Sequence, residues 1–242
     1  MQGITKAIAA IMLMTATMFV VGCTEKPEQP AEEDIHLTEG TWIDLGLPSG
    51  LLWASCNVGA TAPEEFGDYF AWGETQPKSS DNSLSNYKWW VIDSVGRIWL
   101  IKYCTVSDCG YNGFVDNLTV LESDDDAATV NIGGDARTPK KEEWQELIDN
   151  ATFKWTTVNG VKGQLIKGKN GNSIFLPAAG GWEEDVEGGG ECGIYWTSSI
   201  SDVYQSSAWS YMFFGSDDGH LDYALWRHKG TSVRSVCSAS NK

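Results

Sequence analysis

The chain has 242 residues, with 17 Lys or Arg against 33 Asp or Glu and a formal net charge of -16. Such a surface repels nucleic acid and offers no basic footprint for a phosphate backbone, so nucleic-acid binding is not expected. With 42% hydrophobic residues, 12 tryptophans and 26 glycines, the composition favours a packed domain of short aromatic strands and glycine-rich turns over a disordered or long-helical chain.

The N-terminus reads as an export segment. Lys6 supplies a positive charge, residues 7–22 carry none, and Val20-Val21-Gly22-Cys23 has the form of a bacterial lipoprotein cleavage box. The run is short for a spanning helix, so processing is expected: a signal peptide over residues 1–22, then lipid on Cys23 tethering the chain to a membrane. Thr24 is not the usual retention aspartate, which favours outer-membrane sorting. Residues 23–40, acidic and holding Pro27 and Pro30, form a linker that lends reach. Residues 41–242 are enough for one well-buried domain.

Trp42-Ile43-Asp44-Leu45 and Leu51-Leu52-Trp53-Ala54 read as early strands about a Leu47-Pro48-Ser49-Gly50 turn, and Gly67 to Gly73 as a third, aromatic strand. Residues 74–122 mix polar loop signals with Trp89, Trp90, Trp99 and Leu100 and read as an elaborate loop region. Asp124, Asp125 and Asp126 have two readings: oxygen ligands for a structural calcium ion, or an N-cap at Asp126 opening a short helix. No cofactor is required on either. In Arg137-Thr138-Pro139, Thr138 is the expected N-cap and Pro139 the first helical residue; Trp144, Leu147, Ile148 and Ala151 then share one face, with Trp144 as the core anchor. Glu or Gln is missing at 141, so that frame has no full capping box. Strands are expected at 172–177, 194–199, 208–214 and 231–237, with a loop-rich stretch before the last.

Five cysteines follow Cys23: Cys56, Cys104, Cys109, Cys192 and Cys237. Export permits disulfides, and Cys104–Cys109 and Cys192–Cys237 are the candidate pairs, although spacing alone fixes neither. The histidines, His36, His220 and His228, match no metal-binding helix motif, no Gly-x-Ser-x-Gly elbow occurs, and no Walker or dinucleotide pattern is present. The ordinary hydrolase and nucleotide-binding classes are therefore poorly supported.

Several stretches carry a family resemblance: Trp53 to Ala60, Gly67 to Thr75, Asp125-Asp126-Ala127-Ala128, Arg137-Thr138-Pro139 with Glu142 and Trp144, Ser173 to Gly180, Tyr195 to Ser199, and Gly230 to Val236. In this order they resemble a large paralogous group of Bacteroidetes lipoproteins, described by a major paralogous domain. The resemblance runs from about Leu45 to Val236 and departs at Ile132 to Arg137, where the family commonly places two tryptophans. It implies an α+β, C-type-lectin-like fold with short mixed or antiparallel strands, one or two helices and long loops, distantly similar to formylglycine-generating enzymes. The cysteine motif of those enzymes is not reproduced by Cys192 or Cys237, so the reaction is not carried over.

The C-terminal half also resembles variable binding proteins of this fold. That likeness implies ligand contact by Tyr204, Gln205, Trp209, Tyr211, Asp217, Asp218, His220, Asp222, Tyr223, Trp226 and His228, aromatic and short polar groups suited to a paratope. The expected function is a non-catalytic protein- or glycan-binding adhesion module of the cell envelope. The alternatives are a structural subunit of a surface assembly and an unrecognised envelope hydrolase.

Overall fold

The computed structural model describes residues 37–78, 84–182, 186–187 and 189–239, all within one compact unit, Ile35–Lys242. The export segment 1–22, Cys23 and the linker as far as residue 36 lie outside the described residues.

In chain order the strands are β1 (Trp42–Asp44), β2 (Leu52–Asn57), β3 (Trp90–Ile92) and β4 (Ile98–Leu100). Helices α1 (Ala127–Ile132) and α2 (Lys141–Asn150) follow. Then come β5 (Ala151–Val158), β6 (Val161–Gly168), β7 (Ser173–Pro177), β8 (Gly181–Trp182), β9 (Val186–Glu187), β10 (Cys192–Ile200), β11 (Ser207–Phe214), β12 (Gly219–Trp226), β13 (Gly230–Thr231) and β14 (Arg234–Cys237). Among the described residues they form five small sheets, β1-β2-β14, β3-β4, β5-β6-β7, β13-β8-β9 and β10-β11-β12. Every pairing between these strands is antiparallel. The class is α+β, and among the described residues no helix is long and apolar enough to cross a membrane.

Sheet and helix meet at Trp144. Its ring is fully buried, stacks on Tyr211 of β11 at 4.7 Å between centroids, and meets Trp53 of β2 edge-on at 4.8 Å. Leu147, Ile166, Leu176 and Phe213 belong to the same apolar cluster, and Ile148 and Ala151 pack against it. The 3.6-residue spacing of the helix thus turns one stripe onto three sheets. Arg234 of β14 lies in the same interior, with no carboxylate partner among the described residues. Its guanidinium donates to Asn57 Oδ1 (2.9 Å), Ala54 O (2.9 Å) and Phe175 O (2.8 Å), so one side chain ties β2, β7 and β14 together.

Several expectations need correction. The helix does not start at Thr138. Thr138 is buried and donates its hydroxyl and amide to the two oxygens of Asp126 (2.6 and 2.8 Å). Pro139 sits in an extended entry whose carbonyl accepts from Ser198 N (2.8 Å). The cap shifts to Lys140, which places Glu143 at the third helical position. Glu143 accepts from Lys140 N (2.8 Å) and pairs in two-pronged fashion with Arg137 (2.6 Å each). Lys140 has no side-chain acceptor, so this is one arm of a capping box.

Residues 67–73 form no strand; Phe70 makes only a single bridge to Thr231. The stretch after the 208–214 strand, expected to be loop-rich, holds β12, which pairs with β11 as a hairpin. The β5–β6 hairpin about Asn159-Gly160, both at positive φ, was not anticipated. The last strand is split, leaving Val233 between β13 and β14. Cys104 and Cys109 are free thiols in this structure.

Replacing Trp144 by alanine is expected to cost about 3–5 kcal/mol, read as the shift of the denaturant midpoint. Trp144→Phe, which keeps a ring on Tyr211 and removes an indole N–H with no partner, should lose clearly less. Equal losses would show that ring stacking is not what anchors α2.

Candidate functional site

The residues expected to meet a ligand do not form one surface. Tyr211 is fully buried, its hydroxyl donating to Gln164 Oε1 (2.7 Å), and is a core residue. His228 is also buried, 5.4 Å from the Trp90 ring and 5.7 Å from Trp226. Tyr211 points inward from β11, the strand expected at 208–214, on the face that packs against Trp144, while His228 is buried from the turn that follows β12. Trp209 is half-buried beneath Lys141 Nζ, 3.4 Å from its centroid. Asp217 and Asp218 sit in the β11–β12 turn, where Asp217 Oδ1 accepts from Trp155 N (2.5 Å) and Gln164 Nε2 donates to both backbone carbonyls (3.2 Å). His220, Asp222 and Tyr223 are exposed along β12. Tyr204, Gln205 and Trp226 lie at the far end of the hairpin. The eight residues of β11, at about 3.4 Å each, separate the two ends by about 24 Å.

At the Tyr204 end the hairpin meets an insert, residues 84–116, that was opaque in the sequence. β3 and β4 pair as Trp90↔Leu100, Val91↔Trp99 and Ile92↔Ile98. Asp93 closes their turn: Oδ1 accepts from Val95 N (3.0 Å) and Arg97 N (2.9 Å), and Oδ2 accepts from Trp99 Nε1 (3.0 Å). The Trp99 bond first, then the Arg97 amide, hold the Asp93 carboxyl below its ordinary value. Two 3₁₀ turns follow, Ser107–Cys109 and Tyr111–Gly113. The chain is so tight there that a Cβ on Gly110 would collide with the Phe114 carbonyl.

Two solvent-open clefts lie along the insert, the first shared with the loop before β11 and the second within the insert itself. One, of about 550 Å³, lies between Trp99, Val106 and Asp108 on the insert and Asp202, Val203 and Tyr204 on the loop before β11. The other, of about 670 Å³, lies between Asp93, Trp99 and Asp108 on one side and Tyr111 on the other. Trp99 and Asp108 line both, so the two clefts adjoin, and together they are termed the groove. Tyr204 is 63% exposed, Val203 62%, Tyr111 48% and Val106 44%, an exposed aromatic and aliphatic set on both walls. The backbone beneath is fixed: buried Ser201 Oγ accepts from Val203 N (3.2 Å) and Tyr204 N (3.1 Å), and Gln205 Oε1 accepts from Thr105 N (2.9 Å) and Thr105 Oγ1 (3.1 Å). That last pair bridges the walls.

Two buried polar anchors hold the insert down. Arg227, fully buried, donates to Tyr103 O (3.0 Å), Ser207 O (3.4 Å) and Lys102 O (3.5 Å), and lies 5.0 Å over the Trp72 ring. Asp125 accepts from Lys102 Nζ (2.6 Å), Tyr103 Oη (2.7 Å) and Lys88 Nζ (3.3 Å). Asp126 caps α1, accepting from Ala128 N (2.9 Å) and Thr129 N (3.4 Å) as well as from Thr138. In this structure Asp126 takes the N-cap role that the sequence offered beside the calcium reading of Asp124, Asp125 and Asp126. Two of the three carboxylates have other partners, and among the described residues no three His, Cys, Asp or Glu side chains group to hold a metal ion.

Trp99, Asp93, Asp108 and Tyr111 were missed as site residues. The signal was present in Trp90-Val91-Ile92 and Ile98-Trp99-Leu100 flanking Asp93-Ser94-Val95-Gly96-Arg97, an apolar pair of runs about a turn. Compared with protein-family models, curated proteins and solved structures, the chain matches none of them.

Burial acting alone would raise the Asp125 carboxyl, but the hydrogen bonds from Lys102 and Tyr103 and the charges of Lys102 and Lys88 outweigh it, and the group sits below its ordinary value. A depressed carboxyl contributes stability above the unfolded value of about 3.9 and loses it as pH falls through the folded value. Asp125→Asn should therefore be less stable than wild type near neutrality, and the two denaturation midpoints should draw together as pH falls below the unfolded value of about 3.9. Parallel pH profiles would show that this anchor carries no such linkage.

Proposed function

We propose that this protein is a lipid-anchored, non-catalytic binding module of the bacterial cell envelope, with a C-type-lectin-like fold, and that it recognises a protein or glycan partner through the groove end of the β11–β12 hairpin. The observation that carries this reading is the exposed set Tyr204, Val203, Val106 and Tyr111, facing one open groove on a backbone already fixed by hydrogen bonds. Rigid aromatic side chains give contact area at small entropic cost. Exposed apolar groups gathered on a concave surface are the usual mark of an interaction site. Trp226, 45% exposed, extends the surface along β12: its backbone pairs with Ser207, and its neighbour Arg227 N donates to Ser206 O (3.1 Å) on the groove wall.

Support for a non-catalytic role comes from where the perturbed charges go. Asp125, Arg227 and Arg234 are spent on lysines, a tyrosine, backbone carbonyls and one asparagine inside the fold. The lipid anchor is supported by the apolar segment ending in Val21-Gly22-Cys23, and the surface charge of -16 disfavours nucleic acid.

Intact-mass analysis of protein extracted from membranes should show a chain beginning at Cys23 and carrying lipid. A mature chain that still bears Met1, in cells with active lipoprotein processing, would rule out the anchor. For recognition, the purified protein is titrated against envelope proteins and glycans. Binding should be lost in a Tyr204→Ala, Trp226→Ala double variant whose thermal melt is unchanged. A partner held equally well by that variant, or one chemically converted while bound, would overturn the reading.

A further inference from the structure

We propose that the groove takes an uncharged oligosaccharide chain laid across Tyr204, Trp99 and Tyr111; this rests on the reading of the groove as the recognition surface. The arrangement of apolar groups is the first argument. They are single rings and short aliphatics set along the walls, with exposed carboxylates between them. Trp99, at the junction of the two clefts, has its indole N–H committed to Asp93 (3.0 Å), so its edge is pinned. Tyr204 and Tyr111 flank it on turns closed by Ser207 N to Tyr204 O (2.9 Å) and Phe114 N to Tyr111 O (3.1 Å). A pyranose offers apolar C–H faces and a rim of hydroxyls. Spaced aromatic faces with polar groups between them match that alternation along a chain of sugar units.

The second argument is the hydrogen-bonding inventory. Asp108 and Asp202 are exposed and line the groove. A carboxylate is an acceptor with two oxygens, able to take a pair of neighbouring hydroxyl protons. Gln205 has its amide oxygen committed to Thr105, which leaves the NH₂ as its donor end. Charge then decides which sugars fit. With Asp93, Asp108 and Asp202 on the lining, Arg97 as the counterweight and a chain charge of -16, uronate, sulfated or sialylated chains meet repulsion. Neutral sugars do not.

The third argument separates a sugar from a peptide. A peptide in such a groove would add as a strand to the β3–β4 sheet. Beyond β4 that edge is already met at Leu100, which bridges Gly110 in parallel. Side-chain stacking, which needs no free backbone edge, remains open.

The test uses full-length protein in detergent, titrated by intrinsic tryptophan fluorescence and calorimetry. The probes are linear neutral hexasaccharides of glucose, mannose, xylose and N-acetylglucosamine, a hyaluronan hexasaccharide as the anionic control, and a panel of purified envelope proteins. At least one neutral hexasaccharide should bind and the hyaluronan hexasaccharide should not. Tyr204→Ala and Tyr111→Ala, both surface changes, should each weaken binding roughly tenfold, the size of one lost stacking contact. His220→Ala, at the other end of the hairpin, should leave it unchanged. Failure of every neutral hexasaccharide, or equal binding of the uronate, overturns the proposal. If the sugars fail while an envelope protein binds and is lost in the Tyr204→Ala, Trp226→Ala variant, the recognition surface stands and the oligosaccharide inference alone falls. A sugar bound equally by all groove variants removes both.

Discussion

The groove exists because a buried guanidinium has nowhere else to put its protons. Arg227 is fully buried with no carboxylate partner among its hydrogen bonds, and burial pulls its pKa down. Its donors reach carbonyls on both sides of the groove, Lys102 and Tyr103 in the insert and Ser207 at the start of β11. A buried donor left unpaired costs about 1–3 kcal/mol, more when charged. The insert cannot lift away without leaving that cation stranded. Together with the Gln205–Thr105 bonds, it ties two walls that are far apart in sequence.

The protein thus uses two kinds of cohesion. Around Trp144 the core is apolar and aromatic, three sheets closing on one helix face. The insert has only a small cluster of its own, built on Tyr87, Trp90, Leu100 and Cys104. It is held by directional contacts: Arg227, the Asp125 pair with Lys102, and Trp89 with Lys88 4.1 Å and Lys102 4.9 Å from its ring centroid. Tyr103 sits where these meet, fully buried at a positive φ of 57°. Strain of that kind in a non-glycine residue persists only where surrounding contacts over-determine it. Directional anchoring suits a binding wall, since it fixes side-chain positions that nonspecific apolar packing would leave adjustable.

Much of the core was legible along the chain. The stripe of Trp144, Leu147 and Ile148 has helical spacing, and the runs at 173–177 and 207–214 are apolar enough to be strands of any arrangement. Tyr204 and Gln205, expected to meet a ligand, line the groove, while Tyr211 and His228, expected to do the same, are buried. For Tyr211 the difference is one of strand phase. Whether an aromatic in an alternating run faces in or out depends on register, and register depends on which strand lies beside it. The insert was opaque for a related reason. Its two strands have three residues each, too few for periodicity to separate from loop.

The sequence by itself determined the local choices: an amphipathic helix carrying Trp144, Leu147 and Ile148 on one face, tight turns at glycines, a cap as one of two roles open to Asp126, and a strongly acidic net charge. Each follows from neighbours within a few residues, where backbone geometry and side-chain chemistry act directly. Only the tertiary structure decided where that helix begins, because Thr138 is claimed by Asp126, twelve residues earlier. It also decided which aromatics meet solvent and that Trp99 and Tyr204, more than a hundred positions apart, border one cleft. That pairing depends on Arg227 finding carbonyls on two distant segments, and no local pattern encodes where a buried cation's acceptors will come from.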